Sequence, residues 1–308
     1  MCDISEQRMN REDYPQLYRA ADALSIKYQK RHYILLALYL GLLIVGTCLS
    51  FGDATICTNS IALVVFILSA VVYIFSKLYN PLSLWYNGRA VAESVKSMTW
   101  KWMMMASPYN YQPYGCCSRQ LIQDLRELLK ENKPLFTHYQ DEEESDRFYT
   151  ISQKMKEVRH FSSSQKLVFY NKNRVDEQLR WYRRNAKYKH RYYLCYSSFI
   201  GCCYVVVVVL MIMSIVNPEK SYPVEILATV IAASISWLEA KNYNELSNAY
   251  SLAVSDISLI KKDPLEGQVS EDEVSEYVIN SENAFSREHT QWLARKNKIG
   301  RASCRERV

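Results

Sequence analysis

The densest gathering of chemically competent side chains in this sequence is Ser286-Arg287-Glu288-His289-Thr290-Gln291-Trp292, where a hydroxyl, an imidazole and two charges fall within one heptad. Such groups support general-base or nucleophilic chemistry only when they converge on one reacting atom. On a helix, neighbours such as Glu288 and His289 point about 100° apart, so they do not converge. No His-Glu-x-x-His motif is present, and no second histidine lies within ligand range of His289. The nine cysteines form no Cys-x-x-Cys or Cys/His zinc pattern, and Cys116-Cys117 reads as a pair of ordinary thiols. A phosphate-cradling glycine loop, a nucleophile elbow and a carboxylate dyad are also missing. The sequence therefore predicts no catalytic, cofactor-binding or metal residues and no enzyme. The heptad reads as polar pairing between neighbouring helices, and Arg89 with Glu93 as an ion pair one turn apart on a helix face.

The elements that carry these residues are set by long uncharged runs. No charge occurs in Tyr33–Phe51, Ser60–Ser76 or Tyr192–Val216. About 20 apolar residues cross a bilayer as a helix, which satisfies its own backbone polar groups there. Ile226–Leu238 is shorter and reads equally as a buried core helix; its place as the return leg of a hairpin makes it a fourth span. Each hairpin opens with nearly the same basic heptapeptide, Lys27-Tyr-Gln-Lys-Arg-His-Tyr33 and Lys187-Tyr-Lys-His-Arg-Tyr-Tyr193, an offset of 160 residues that points to duplication.

Lys27, Lys30, Arg31 and Lys77 flank the first hairpin; Arg180, Arg183, Arg184, Lys187, Lys189, Arg191 and Lys241 flank the second. The hairpin loops hold a single basic residue, Lys220. The positive-inside tendency places both termini and the middle segment in the cytosol, with basic clusters suited to anionic headgroups. Met1–Gln29 is polar and lacks a signal-peptide pattern.

Apolar periodicity predicts helices over Glu12–Lys30, Trp85–Met105, Leu121–Leu129, Phe148–Tyr188 (one or two), Leu238–Leu259 and Glu271–Lys296, the last opened by a capping box at Ser270-Glu-Asp-Glu273. Trp85 and Trp237 are expected at equivalent membrane boundaries. With few glycines and no alternating runs, the fold class is an all-α membrane protein: two transmembrane helical hairpins, four spans, with cytosolic helical flanks. The first unit covers 1–140 (spans about 33–51 and 60–76), the second 141–298 (spans about 192–216 and 224–238).

Ala228, Ala232, Ser236 and Ala240 form a small-residue stripe on the fourth segment. Packing against Ser197 and Gly201 within the hairpin is the first reading; an oligomer contact around a pore is the second. Glu225 stands at the outer mouth of that span, where a place in the headgroup layer is favoured over a pore role.

Three stretches resemble the SMODS and SLOG-associating two-transmembrane effector (SLATT) family: Tyr277–Arg295, which contains Glu282, Arg287, Glu288, His289 and Trp292; Met155–Tyr182, with Arg174, Gln178 and Trp181; and Trp85–Trp100, with Arg89 and Glu93. The layout resembles a tandem fusion of two such domains. The resemblance implies a bacterial inner-membrane effector that opens or disrupts the membrane when triggered, acts as a homo-oligomer, partners a neighbouring nucleotidyltransferase or other sensor, and binds no nucleic acid directly. An anchoring scaffold is the alternative. A constitutive transporter is disfavoured, because the spans hold almost no charge and no Gly/Pro breaks near the midplane. Ile299–Val308 can be back-translated to a sequencing-adapter read and is expected to be non-native; without its net +2 the formal charge falls from +6 to +4.

Overall fold

The computed structural model describes residues 7–52, 55–110, 113–136, 149–261 and 269–286. Every regular element among them is helical. Besides two single 3-10 turns (Arg11–Asp13 and Lys133–Leu135), in order these are α1 (Gln16–Ser50), α2 (Ile56–Tyr79), α3 (Pro81–Met103), α4 (Tyr114–Glu131), α5 (Gln153–Arg159), α6 (Ser163–Tyr170), a π-helical turn (Asn171–Val175), α7 (Asp176–Val216), α8 (Val224–Lys241), α9 (Tyr243–Ile260) and α10 (271–286). The chain forms two compact units. A polar unit holds Met1–Ile26, Leu84–Asn185 and Ala249–Val308; an apolar unit holds Lys27–Ser83 and Ala186–Asn248. Both units draw on both halves of the sequence.

Three stretches of helix are long and apolar enough to cross a bilayer: α1, α2 continued by α3, and α6 continued through α7. The fourth expected span, α8, is not among them. It has 18 residues, of which Glu225, Glu239 and Lys241 are charged, so its uncharged length is short for a 30 Å hydrocarbon core. At 1.5 Å per residue, the 35 residues of α1 and the 41 of α7 run to about 50 and 60 Å, well beyond that core. The expected helix over Glu12–Lys30 is thus one piece with the first apolar run. It starts at Gln16, because Pro15 is tolerated at a helix start and no breaker separates Lys30 from Tyr33. Along the apolar lengths Ile34, Leu38, Val71, Ile74, Val205 and Val208 are exposed, a surface suited to hydrocarbon rather than water.

The return legs α2 and α8 end alike. Asn80 (φ 44°) and Asn242 (φ 48°) each take the left-handed conformation and stop one helix while the next starts at once. The Asn80 amide donates to the Ser76 carbonyl at 3.1 Å, and the Asn242 amide to Leu238 at 2.9 Å. Asparagine enters this region more readily than other side chains, because its short polar group hydrogen-bonds locally; Asn242 Nδ2 donates to Glu245 Oε2 at 2.7 Å. These breaks separate the two tryptophans expected to be equivalent. Trp85 follows the first break and is buried in the polar unit, whereas Trp237 precedes the second and lies in the apolar unit.

In the polar unit, α4 begins earlier than Leu121. Pro113 sits just before it, and Cys117, Leu121 and Leu125 form one fully buried stripe. The segment over 148–188 divides into α5, α6, the π turn and α7. Ser152 caps α5, and a Ser162/Gln165 box caps α6. The Ser270/Glu273 box is present, with the Glu273 amide donating to Ser270 Oγ at 3.2 Å and the Ser270 amide to Glu273 Oε2 at 2.9 Å. Gly88 lets α3 lie against the backbone of α1, since a Cβ there would meet the Ser25 nitrogen at 3.2 Å and the Ala21 oxygen at 3.3 Å.

Replacing Asn80 or Asn242 with isoleucine should cost about 1–2 kcal/mol each, the penalty of a branched side chain in the left-handed region, while glycine should be tolerated. Thermal unfolding of the full chain in nanodiscs checks this; equal midpoints for the isoleucine and glycine variants would refute it.

Candidate functional site

The core of the polar unit is unusual in burying charge. Arg174, from the π turn, and Glu282, on α10, are each 1% exposed. They meet in a two-point fork: Arg174 Nε donates to Glu282 Oε1 at 2.9 Å and Nη2 to Oε2 at 2.8 Å. Tyr170 Oη donates to the same Oε1 at 2.9 Å. The guanidinium lies over the Phe285 ring at 4.9 Å. Its third nitrogen, Nη1, is buried without a hydrogen-bond partner among the described residues. Burial alone would pull the Arg174 guanidinium down, but the Glu282 carboxylate outweighs it and holds the arginine well above its ordinary value. Burial, reinforced by Glu282, raises the Tyr170 phenol well above its own.

Around this pair the core is aromatic. Trp100 Nε1 donates to Tyr14 Oη at 3.1 Å, and Trp100 packs edge-on to Tyr170 at 5.4 Å. Lys96, on α3, feels burial first and the positive Arg174 second; both lower its pKa, against the opposing pull of Glu93, Glu177 and Glu282. A second buried cation, Arg159, closes the end of α3. Nη1 donates to the Trp102 carbonyl and Nη2 to that of Tyr109 at 3.0 Å, with the guanidinium 4.7 Å over the Trp102 ring. Lys166, on α6, is 3% exposed, and burial pushes its pKa down to about 8.

Of the residues singled out from the sequence, Arg174 and Glu282 are brought into direct contact. Arg89 and Glu93 lie a turn apart on α3, Arg89 half-buried and Glu93 exposed. Gln178 and Trp181 stand on the first turns of α7, where Trp181 packs edge-on against Tyr250 at 5.2 Å. Arg287, Glu288, His289 and Trp292 lie outside the described residues. Sequence reading did not single out Tyr170, Tyr277, Asn171, Asn173, Arg159 or Lys166 as site residues. The first four lie in or against the π turn, for which apolar periodicity carries no signal; no sequence pattern marks Arg159 or Lys166 as buried.

In the apolar unit the basic heptapeptides form cation–aromatic clusters. Arg31 lies 5.8 Å from both the Tyr28 and Tyr79 rings, and Lys189 lies 5.1 Å from Tyr243, which also packs against Tyr192 and Tyr196. Lys241 Nζ sits 3.2 Å over the Tyr33 ring and 4.8 Å over Trp237, tying the return leg of one hairpin to the first leg of the other. Thr47 and Thr229 hydroxyls meet at 3.3 Å between the same two helices. The small-residue stripe lies on α8. Ala228, Ala232 and Ser236 are exposed and Ala240 is half-exposed, while Gly201 on α7 is exposed with open space around it. Glu225 is exposed in the first turn of α8. A groove of ≈ 200 Å³ between α7 and α8 is lined by Tyr204, Val207, Ala228, Ile231, Ala232 and Ile235. Its lining offers van der Waals contact and no chemistry. Among the described residues no three His, Cys, Asp or Glu side chains stand close enough together to hold a metal ion.

Two family models match the chain in tandem. Residues 15–166 match the SMODS and SLOG-associating 2TM effector domain 3, and residues 170–292 match the SMODS and SLOG-associating 2TM effector domain 1. No curated protein and no solved structure matches. The chain belongs to the SLATT family as a fusion of two such domains, joined within α6.

Truncating Glu282 to alanine should destabilise the chain by about 3–5 kcal/mol, since it strands a buried guanidinium; replacing Arg174 and Glu282 together with methionine and leucine should cost less. Chemical denaturation of the full chain, followed by tryptophan fluorescence, checks the order. Lys166 gives a pH signature. The unfolded lysine keeps its proton up to about 10.5, whereas the folded one loses it near 8, so stability should rise with pH between 8 and 10. Lys166→Met should flatten that rise, and an unchanged slope would show that Lys166 is not the group responsible.

Proposed function

We propose that this tandem SLATT protein is a membrane effector of a bacterial conflict system, which opens or disrupts the inner membrane when a nucleotide signal or a partner sensor acts on its polar unit. The observation that carries the reading is the pair of family matches, each an effector domain by description and each containing one apolar hairpin. In this reading α8 completes the second hairpin as a fourth span, with the charges of Glu225, Glu239 and Lys241 reaching the two headgroup layers rather than the hydrocarbon. Both termini and the polar unit face the cytosol, on the side of the basic clusters around Arg31, Lys189 and Lys241. A homo-oligomer forms in the bilayer through the exposed small-residue stripe, because Ala228, Ala232 and Ser236 permit close approach of a second helix where lipid tails offer no hydrophobic drive of their own. No catalytic step is part of this function.

Expression together with the neighbouring genes of its operon, while membrane potential is followed by a voltage-sensitive dye, tests the reading. Depolarisation and growth arrest on triggering are the expected results, and unchanged potential and viability would overturn it. Exchanging both hairpins for an unrelated membrane anchor separates an effector from a scaffold: depolarisation should be lost, whereas an anchoring function would survive. Within this frame Ala232→Leu should cut depolarisation several-fold with membrane insertion unchanged, and wild-type activity in that variant would remove the stripe from the mechanism.

A further inference from the structure

One turn of the polar unit breaks the α-helical pattern. Between α6 and α7 the Asp176 amide donates to the Asn171 carbonyl, five residues back instead of four. A turn closed this way holds one residue more than an α-turn; such bulges are uncommon and concentrate at functional sites. Here the polar side chains buried in the bulge are fastened by segments far away in sequence. Asn171 Oδ1 accepts from Tyr277 Oη at 2.5 Å, and Arg174 forks onto Glu282, both partners on α10. Asn173 is held by the N-terminal segment: its Oδ1 accepts from the Met9 amide at 3.1 Å, and its Nδ2 donates to the Gln7 carbonyl at 3.1 Å. The same Nδ2 donates to the Phe169 carbonyl at 3.0 Å, one turn back. Lys172 is the exposed residue of the turn.

We propose that this turn is a register switch clamped by the two ends of the chain, and that its release rotates α7. The proposal rests on the effector reading and names the regulation of that effector. An α-turn is the ordinary state of a helical segment, so the π turn persists because the Met9 amide, the Gln7 carbonyl and the Tyr277 and Glu282 side chains hold it. When the N-terminal segment or α10 is drawn away, the extra residue is taken up into α-helix and α7 turns relative to α6 by the angle of one residue, about 100°. α7 is unbroken from Asp176 to Val216, so a rotation of its first turns is carried into its apolar length. On those first turns Leu179 and Tyr182 are buried, while Arg180, Arg183 and Arg184 are exposed. The rotation exchanges these faces. It brings apolar surface out and turns cations in.

Hydroxyl-radical footprinting of the full chain in phospholipid nanodiscs reads this exchange. In Asn173→Ala/Tyr277→Phe, oxidation at Leu179 and Tyr182 should rise several-fold while Trp100 stays protected. Deleting Lys172 in the same background removes the surplus residue and should restore wild-type protection. No change at Leu179 and Tyr182, or no restoration by the deletion, would overturn the switch. Should Trp100 also become reactive, the double variant has lost its fold, and Tyr277→Phe alone is scored by the same criterion. Dye release from vesicles carrying the same variants separates the switch from the function it serves. A footprint change without release overturns the pore reading and leaves the switch standing, whereas release without a footprint change overturns the switch.

Discussion

A guanidinium that leaves water must find its counter-charge inside the protein, and for Arg174 that is first Glu282, with Glu93 adding to it. The two residues come from opposite ends of the second family match, so their contact folds α10 back onto the turn that precedes α7. A bidentate fork fixes orientation as well as distance, and Tyr170 takes up the remaining acceptor capacity of Oε1. Exchanging such a pair for apolar side chains is often neutral or stabilising, so its presence is weak evidence of selection for stability and better evidence for a specified arrangement. Among the described residues the third nitrogen, Nη1, has no hydrogen-bond partner.

The apolar unit answers to a different constraint. With no water in hydrocarbon, its backbone must be helical, and its side chains have only lipid or one another to meet. What organises it is found where water returns. Arg31 between Tyr28 and Tyr79, Lys189 against Tyr243, and Lys241 over Tyr33 and Trp237 place a cation on an aromatic face next to the uncharged runs. Each ring offers an apolar body to the tails and a polar or π surface to the headgroups, which is why Tyr and Trp collect at that depth.

Much of this was legible in the sequence because the forces involved leave periodic or compositional traces. Uncharged length gave the three long apolar helices, the Ser270/Glu273 spacing gave the start of α10, and the paired heptapeptides gave the duplication. The family likeness drew Arg174 and Glu282 into view, although nothing in their spacing, 108 residues apart, says that they touch. The π turn left no trace, since it depends on contacts made by Tyr277, Met9 and Gln7 from elsewhere in the chain. The stripe on α8 was readable as small residues at four-residue spacing, but which way it faces is set by how α7 and α8 meet, and periodicity is blind to that. The length of α1 was missed for a related reason: a polar helix and an apolar one join without a breaker, and composition changes where secondary structure does not.

The two family matches are not two separable bodies, and the joins show why. Trp100 belongs to the first match, yet it packs against Tyr170 of the second; the Ser107 amide of the first donates to Ser275 Oγ of the second at 3.2 Å. In the apolar unit Thr47 meets Thr229 and Tyr33 meets Trp237, again one partner from each half. Each half therefore supplies part of the core in both units. Joining them in one chain replaces an encounter between two molecules with an intramolecular one, whose effective concentration is set by the short link through α6. It also removes symmetry. Among the described residues the Arg174–Glu282 pair and the π turn belong to the second half, so the irregular turn stands before one apolar helix, α7, and not before its counterpart α1. Among the described residues the tandem thus carries its buried charge clamp in one half.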